Sequence, residues 1–271
     1  MRKILYGKES NHVEMAHVLN NIGASYANMG DKERAINYAE KAYEMQKRIF
    51  ADKDTADHAD VVETLENLSA AYSSKSSLDN EKKSLEFVRK AYEMQTRLFP
   101  NIDHPRTARL LLSIAKNYSN LATLIKNKSK EYAPSKEWQS EHEEKLAIAH
   151  DYPITDSPHE EYETMAIEKK QEALDMQTML NNGRNSLDMA DTLQSLGISF
   201  ERKSDFKMAL DYYKRAYEMR KSLLKNKPHV NLIETLERLE VVSLRLRNKN
   251  EAIQFGEMAI EMKKQMEKIK V

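Results

Sequence analysis

The segment Ala42-Tyr43-Glu44-Met45-Gln46 decides the fold, because the same pattern occurs five times along the chain. The other four copies are residues 91–95, 173–177, 216–220 and 259–263. Each copy keeps an alanine at its first position and a methionine at its fourth. Self-similarity of this kind indicates a repeat protein, so the repeat unit is the starting point for predicting the fold.

A second pattern precedes each copy, and in the first repeat it comprises Leu19, Ile22, Gly23 and Tyr26. Its leading leucine returns as Leu65, Leu111, Leu193 and Leu236, at intervals of 46, 46, 82 and 43 residues. Residues at i, i+3 and i+7 lie on one face of an α-helix. The two patterns therefore predict two antiparallel amphipathic helices per repeat, joined by a short turn such as residues 28–31.

Residue size in the first helix indicates how the two helices pack. Small residues recur at Gly23, Ser69, Ala115 and Gly197, and an aromatic residue follows three positions after each. We expect the small residues to let the helices approach closely. In the fifth repeat, Glu240 and Ser243 replace these types, so that repeat matches least well. A lone helix pair leaves an apolar face in water, so the repeats must stack, which predicts an all-α solenoid.

These residues resemble a known repeat family. The order Leu19, Ile22, Gly23, Tyr26, Gly30, Ala35, Ala39, Ala42 is similar to that of a tetratricopeptide repeat. The Leu-Asn-Asn-Ile-Gly run at 19–23, the 43–46-residue interval and the turn at 99–105 resemble the longer repeats of kinesin light chains and nephrocystin. The resemblance covers nearly the whole chain apart from one insertion. It implies a right-handed α-solenoid of helix-turn-helix units that acts as a protein-binding scaffold.

The two patterns divide the chain into about five repeats and one partial repeat. The predicted repeats are residues 13–59, 60–104, 105–186, 187–229 and 230–271, preceded by the end of a truncated repeat at 1–12. Residues 1–5 align with residues 219–223, which form the back half of a second helix. We therefore expect the chain to be a fragment of a longer array.

The third repeat is interrupted by a predicted insertion near residues 125–163. This stretch is polar and rich in proline, which predicts a loop, with one short helix at 135–150 that carries Trp138. Insertions in repeat arrays lie on one face, often a binding face, so Trp138 is a candidate contact residue. A surface loop without a binding role is the alternative interpretation.

Composition argues against several classes of function. The chain has 43 basic and 43 acidic residues, so no overall field attracts nucleic acid or an anionic membrane. It has no cysteine, which excludes disulfides and thiolate chemistry and fits a cytoplasmic protein. No apolar run reaches the roughly 20 residues of a membrane-spanning helix, so we expect no membrane insertion.

Catalytic and metal-binding motifs are also missing from the sequence. The chain has no nucleophile motif and no glycine-rich phosphate loop, so we predict a non-catalytic protein without a cofactor. Histidines recur at one equivalent position between repeats, as His12, His58, His104 and His229. Stacked repeats keep such side chains too far apart to share one metal ion, so we expect structural or capping roles and no metal site.

The resemblance directs the choice of binding residues, because in tetratricopeptide arrays the first helix of each repeat lines a concave groove. Asn21 and Asn67 match a position that commonly hydrogen-bonds a bound peptide backbone in this family. An asparagine amide suits that role since it both donates and accepts. The full predicted set is Asn20, Asn21, Glu66, Asn67, Arg109, Ser113, Lys116, Gln194 and Glu237.

The resemblance also limits the kinds of partner that we expect. The two lysine-type anchors of the carboxylate clamp found in chaperone-binding relatives are absent, so binding of chaperone C-terminal tails is disfavoured. We predict a kinesin-light-chain-like adaptor that binds a protein or peptide partner in the concave groove. The alternative interpretation is the sensing or oligomerising repeat tail of a larger signalling NTPase, present here as a fragment.

Overall fold

The computed structural model describes residues 13–50, 57–74, 77–131 and 158–269, and these residues form ten α-helices. The helices are α1 Val13–Asn28, α2 Lys32–Phe50, α3 Ala59–Ser73, α4 Leu78–Leu98, α5 Pro105–Glu131, α6 Pro158–Leu180, α7 Leu187–Arg202, α8 Phe206–Leu223, α9 Val230–Arg245 and α10 Lys249–Ile269. No described residue lies in a strand. The prediction of an all-α solenoid built from helix pairs is confirmed.

The helices pack into two compact units. Of the described residues, those from 13 to 101 and from 116 to 164 belong to the first unit, and those from 102 to 115 and from 165 to 269 belong to the second. In the first unit α1 pairs with α2, α3 pairs with α4, and α3 also packs against α2. In the second unit α7 pairs with α8, α9 pairs with α10, and α9 also packs against α8. Both units therefore repeat one arrangement of helix pair and junction.

Small residues bring the helices of a pair together, as the sequence predicted. A Cβ atom added at Gly23 would lie 3.1 Å from the carbonyl oxygen of Ala35 and 3.2 Å from the amide nitrogen of Ala39. One added at Gly197 would lie 2.5 Å from Cε1 of Tyr213, which is fully buried. Only glycine fits at these two contacts without a shift of its neighbours.

The fifth repeat keeps the same contact with the sizes exchanged. Glu240 occupies the position of Gly197, and Gly256 occupies the position of Tyr213. A Cβ atom at Gly256 would lie 3.0 Å from Oε1 of Glu240, so the glycine of this pair belongs to the second helix. The large side chain and the small one have exchanged helices, which explains why this repeat packs despite its weak match to the pattern.

Histidines cap the first helix of several repeats, which confirms the structural role expected for them. In each case Nδ1 accepts a hydrogen bond from the backbone amide two residues later, at His58 (3.3 Å), His104 (3.0 Å) and His229 (3.2 Å). At the start of α7 the hydroxyl of Ser186 takes this role and accepts from the amide of Met189 at 3.2 Å. His12 lies outside the described residues.

Helices occupy both ends of the predicted insertion, where the sequence predicted a loop. Helix α5 continues to Glu131, and α6 already begins at Pro158, so helical residues occupy both ends of the predicted stretch 125–163. Proline suits the first position of a helix, and Glu160 and Glu161 in the first turn favour a helix start there. Residues 132–157, with the predicted short helix at 135–150, lie outside the described part of the chain.

Glu81 of α4 is a carboxyl group buried where α3, α4 and α5 meet, with 1% of its surface exposed. It accepts hydrogen bonds from Oγ of Ser73 at 3.2 Å and from Nδ2 of Asn120 at 3.0 Å. Burial raises the pKa of Glu81, although both hydrogen bonds and nearby Lys116 act in the opposite direction. Because the folded pKa lies above the unfolded one, the stability that this group contributes is full at low pH. It is lost as the pH rises through the folded pKa.

Glu81→Gln should raise the thermal midpoint at neutral pH, because an amide keeps both partners without a buried charge. The gain should shrink as the pH falls through the folded pKa of Glu81, which thermal melts between about pH 4 and about pH 8 would measure. Glu86→Gln, at an exposed position of the same helix, is the matched control. A gain that is independent of pH, or equal in the control, would contradict the assignment.

Gly197→Ala should lower the free energy of unfolding by about 1–3 kcal/mol, because the added methyl group presses on the buried ring of Tyr213. Gly256→Ala is the matched control, since its nearest neighbour is the movable end of the Glu240 side chain. Alanine favours a helix over glycine by about 1 kcal/mol, so the control should be neutral or stabilising. Urea unfolding measures the free energy of unfolding of both variants. An equal loss of stability in the two would argue against the exchange of large and small side chains between the helices of the fifth repeat.

Candidate peptide-binding face

Asn20, on the first helix of the first unit, lies inside the junction between α1 and α3. Its side chain is 3% exposed. Its Nδ2 donates to Oε1 of Glu63 at 3.3 Å, and its Oδ1 accepts from Nδ2 of Asn67 at 3.0 Å. The amide of Asn20 therefore joins two consecutive first helices and orients Asn67 from below the surface.

Gln194 makes the same connection in the second unit. It stands one residue after the leading leucine of its repeat, as Asn20 does, and is 8% exposed. Its Nε2 donates to Oε1 of Glu234 at 3.0 Å. Glu234 and Glu63 also share a repeat position, two residues before the leading leucine. One amide–carboxylate bridge thus recurs between first helices in both units.

The other predicted binding residues lie closer to solvent. In the first unit Asn21 and Lys116 are exposed, while Glu66 and Asn67 are partly exposed. In the second unit Arg109 and Ser113 are exposed, and the partly exposed Glu237 pairs with Nζ of Lys263 at 2.7 Å. The structure brings Asn20 and Asn67 into contact and assigns Asn20 and Gln194 to junctions. Trp138 lies outside the described residues.

Sequence reasoning missed a set of buried polar residues between repeats, which we call the polar seam. Its members are Gln46, Gln177 and Arg220, each directly after the recurring methionine of the second helix. Nε2 of Gln46 donates to the carbonyl oxygen of Asp60 at 3.2 Å. Oε1 of Gln177 accepts from Oγ1 of Thr192 at 3.0 Å. Each seam residue therefore bonds the first helix of the next repeat.

Arg220 extends the seam into a larger network in the second unit. Its Nη1 donates to Oγ1 of Thr235 at 2.5 Å and also bonds Gln194. Its Nη2 lies 2.5 Å from Oδ1 of Asp191, and the arginine side chain is only 3% exposed. A buried guanidinium is tolerated because a carboxylate and neutral acceptors bond its two terminal nitrogens. Asp191 of α7 is largely exposed to solvent, and its carboxylate is fixed by the buried Arg220.

The seam does leave a signal in the sequence. Gln, Gln, Gln, Arg and Lys follow the recurring methionine in the five copies, so every copy has a hydrogen-bond donor at that position. Threonine precedes the leading leucine at Thr64, Thr192 and Thr235, and all three are buried. A polar residue that recurs on an otherwise apolar helix face predicts a partner on the facing helix, because unpaired buried polar groups are rare.

The described residues provide no arrangement for a metal ion. No group of three or more histidine, aspartate or glutamate side chains among them is placed to bind one. None of the helices in the described part of the chain contains an apolar stretch long enough to cross a membrane.

Comparisons with known proteins agree with this architecture. Models of the tetratricopeptide repeat match residues 15–60 and 164–222. The crystal structure of nearly identical TPR-like repeats of a Podosopora anserina kinesin light chain is similar with a TM-score of 0.64 and 12% identity, and covers 95% of this chain and 99% of that one. BtubC (BKLC) from P. vanneervenii is similar with a TM-score of 0.54 and 17% identity, and it covers 94% of this chain and 88% of that one. The crystal structure of MamA is similar with a TM-score of 0.51 and 15% identity, and it covers 96% of this chain and 98% of that one.

No curated protein matches the chain by sequence. At these identities the solved structures show similarity of fold alone. Together with the two repeat matches, they show the fold: the chain is an all-α solenoid of tetratricopeptide-type repeats, with a fold similar to that of kinesin-light-chain repeats.

Asn20→Ala should lower the free energy of unfolding by about 1–3 kcal/mol, because it leaves Glu63 and Asn67 without their shared partner. Asn21→Ala, at the exposed neighbouring position, should change stability by less than about 0.5 kcal/mol. Chemical denaturation followed by circular dichroism measures both. Equal effects in the two variants would contradict the different roles that the structure gives to adjacent asparagines.

Proposed function

We propose that this protein is an interaction scaffold that binds an extended peptide of a partner along the first helices of its repeats. The observation that supports the proposal most directly is the pair of asparagines Asn21 and Asn67. The side chain of Asn21 makes no hydrogen bond to any described residue. Asn67 uses one donor to reach Asn20, and its amide oxygen bonds no described residue.

Amides held in this way suit recognition of a peptide backbone. An asparagine amide offers both donors and an acceptor, so it can bond an extended chain whatever its side chains are. The contact from Asn20 fixes the orientation of Asn67 before a peptide arrives. Pre-orientation lowers the entropy that binding would otherwise lose.

Carboxylates on the first helices of both units favour a peptide with lysine or arginine side chains. Glu63 and Glu234 are exposed, and each accepts a hydrogen bond from an uncharged amide of the preceding repeat. Such a bond orients a carboxylate and leaves its charge in place. Complementary charge steers association and adds specificity. The proposal assigns a binding role without catalysis, as is typical of tetratricopeptide-repeat proteins.

A random peptide library displayed on phage and selected on the full chain tests this function. We expect enriched peptides with basic residues that bind with dissociation constants of about 1–100 μM, measured by isothermal titration calorimetry. Asn21→Ala combined with Asn67→Ala should weaken them at least tenfold, which corresponds to about 1.4 kcal/mol. Circular dichroism should show unchanged helicity.

Asn250→Ala combined with Gln254→Ala is the matched control, because it removes two exposed amides from α10. Affinity should stay within about twofold of the unmodified chain in this control. No enriched peptide, or enriched peptides that bind the asparagine variant as well as the control, would refute binding along the first helices.

A further inference from the structure

The turn after α6 contains the only asparagine in the sequence that is followed by glycine, Asn182-Gly183. Both residues are exposed, and their φ angles are positive, at 50° and 71°. A Cβ atom added at Gly183 would meet no atom within 4 Å, so the turn is open on that side. Access of water therefore does not limit chemistry at the peptide bond between these two residues.

An asparagine that precedes glycine can lose its side-chain amide without a catalyst. The backbone nitrogen of the next residue, once deprotonated, attacks Cγ of the asparagine and closes a ring. A new C–N bond forms, the bond between Cγ and Nδ2 breaks, and Nδ2 leaves as ammonia. Water then opens the ring at either of its carbonyl groups, which gives aspartate or isoaspartate. Glycine favours the attack because it has no side chain in the way.

The structure holds the attacking nitrogen in a helix cap. The N–H of Gly183 donates to the carbonyl oxygen of Thr178 at 2.9 Å, and the N–H of Asn182 donates to that of Met179 at 3.0 Å. With Asn182 in the left-handed conformation, these two bonds form the Schellman motif at the end of α6. A nitrogen whose proton is shared with Thr178 is not available for the attack, so the reaction requires the cap to open.

The side chain of Asn181 ties this cap to the junction between the third and fourth repeats. Its Nδ2 donates to the carbonyl oxygen of Gln177 at 2.8 Å and lies 3.8 Å from Sδ of Met189 in α7. Gln177 belongs to the polar seam and accepts the hydrogen bond from Thr192. The bonds that keep the cap closed therefore include one that reaches a seam residue.

We propose that Asn182 is a deamidation site that becomes reactive when the cap of α6 opens, and that its conversion prevents the cap from re-forming. Aspartate there places a negative charge at the C-terminal end of α6, where the last carbonyl groups are already negative. Isoaspartate adds a methylene group to the main chain, which changes the spacing of the two cap bonds. The reaction thus converts a transient opening of one turn into a lasting change beside the polar seam.

The cap of α8 provides an internal control. Asn226 also has a positive φ angle, of 58°, and its N–H donates to the carbonyl oxygen of Lys221 at 3.0 Å. The next residue is Lys227, whose side chain hinders the ring closure. Asn226 should therefore keep its amide under conditions in which Asn182 loses it.

Incubation of the full chain in mildly alkaline buffer, followed by tryptic digestion and mass spectrometry, measures the reaction. The peptide of residues 171–184 should gain the mass difference between an amide and an acid, whereas the peptide of residues 226–238 should not. A synthetic peptide of residues 178–186 should react at least about tenfold faster than the folded chain, because it has no cap to open. Urea that unfolds the chain should remove this difference.

Two variants test whether the opening is local. Asn181→Ala should accelerate the reaction in the folded chain, because it removes the bond to Gln177. Asn185→Ala, at an exposed position of the same turn, is the matched control and should leave the rate unchanged. Gly197→Ala, which lowers stability at another contact, should also leave the rate unchanged.

Three results would overturn the proposal. A folded chain that reacts as fast as the synthetic peptide would show that the cap gives no protection. An amide at Asn182 that lasts as long as that of Asn226 would show that the cap does not open. Acceleration by Asn185→Ala or Gly197→Ala equal to that by Asn181→Ala would assign the reaction to unfolding of the whole chain.

Discussion

A polar group buried between two helices must meet its partner on the facing helix, and this requirement fixes the junctions of the protein. Gln46, Gln177 and Arg220 are each at most 8% exposed, and each bonds the helix that follows. Leaving such a group unpaired costs about 1–3 kcal/mol. Apolar packing is non-directional and tolerates sliding. The polar seam therefore sets the register between consecutive repeats, while the apolar residues around it supply most of the burial.

The seam also determines the surface that a partner meets. Asn20 and Gln194 lie in junctions between repeats and hold carboxylates of the next repeat in place, and Gln194 also bonds Arg220 of the seam. Arg220 reaches through the junction to Asp191 on the outer side of α7. Buried groups of the same repeat or of the preceding one thus position side chains on the first helices. Substitutions at buried amides should change the orientation of the exposed side chains on the first helices. Substitutions at exposed amides should remove contacts to the bound peptide.

The sequence was sufficient to predict the helix pairs, the close contacts at glycine and the capping histidines, because each follows from a periodic pattern or from local chemistry. It did not predict which inward polar residues are buried. Asn20 and Asn21 are adjacent and identical, and only their different directions from one helix place the first in a junction and the second in solvent. The size exchange of Glu240 and Gly256 was also hidden, since it depends on a contact between two helices. The ends of the predicted insertion are helical and were expected to be loop, because polar residues also form regular helices.

A double-mutant cycle on Gln177 and Thr192 tests the central claim that the seam holds consecutive repeats in register. Free energies of unfolding are measured by urea denaturation for Gln177→Leu, Thr192→Val and the double variant. Thr192→Val leaves the amide oxygen of Gln177 without its partner, whereas after Gln177→Leu the hydroxyl of Thr192 keeps its bond to the carbonyl oxygen of Asp188 at 3.0 Å. The account predicts that the two side chains are coupled, so the double variant loses about 1 kcal/mol less than the sum of the two single variants. Strictly additive losses would show that the two side chains act independently and that apolar packing alone sets the junction.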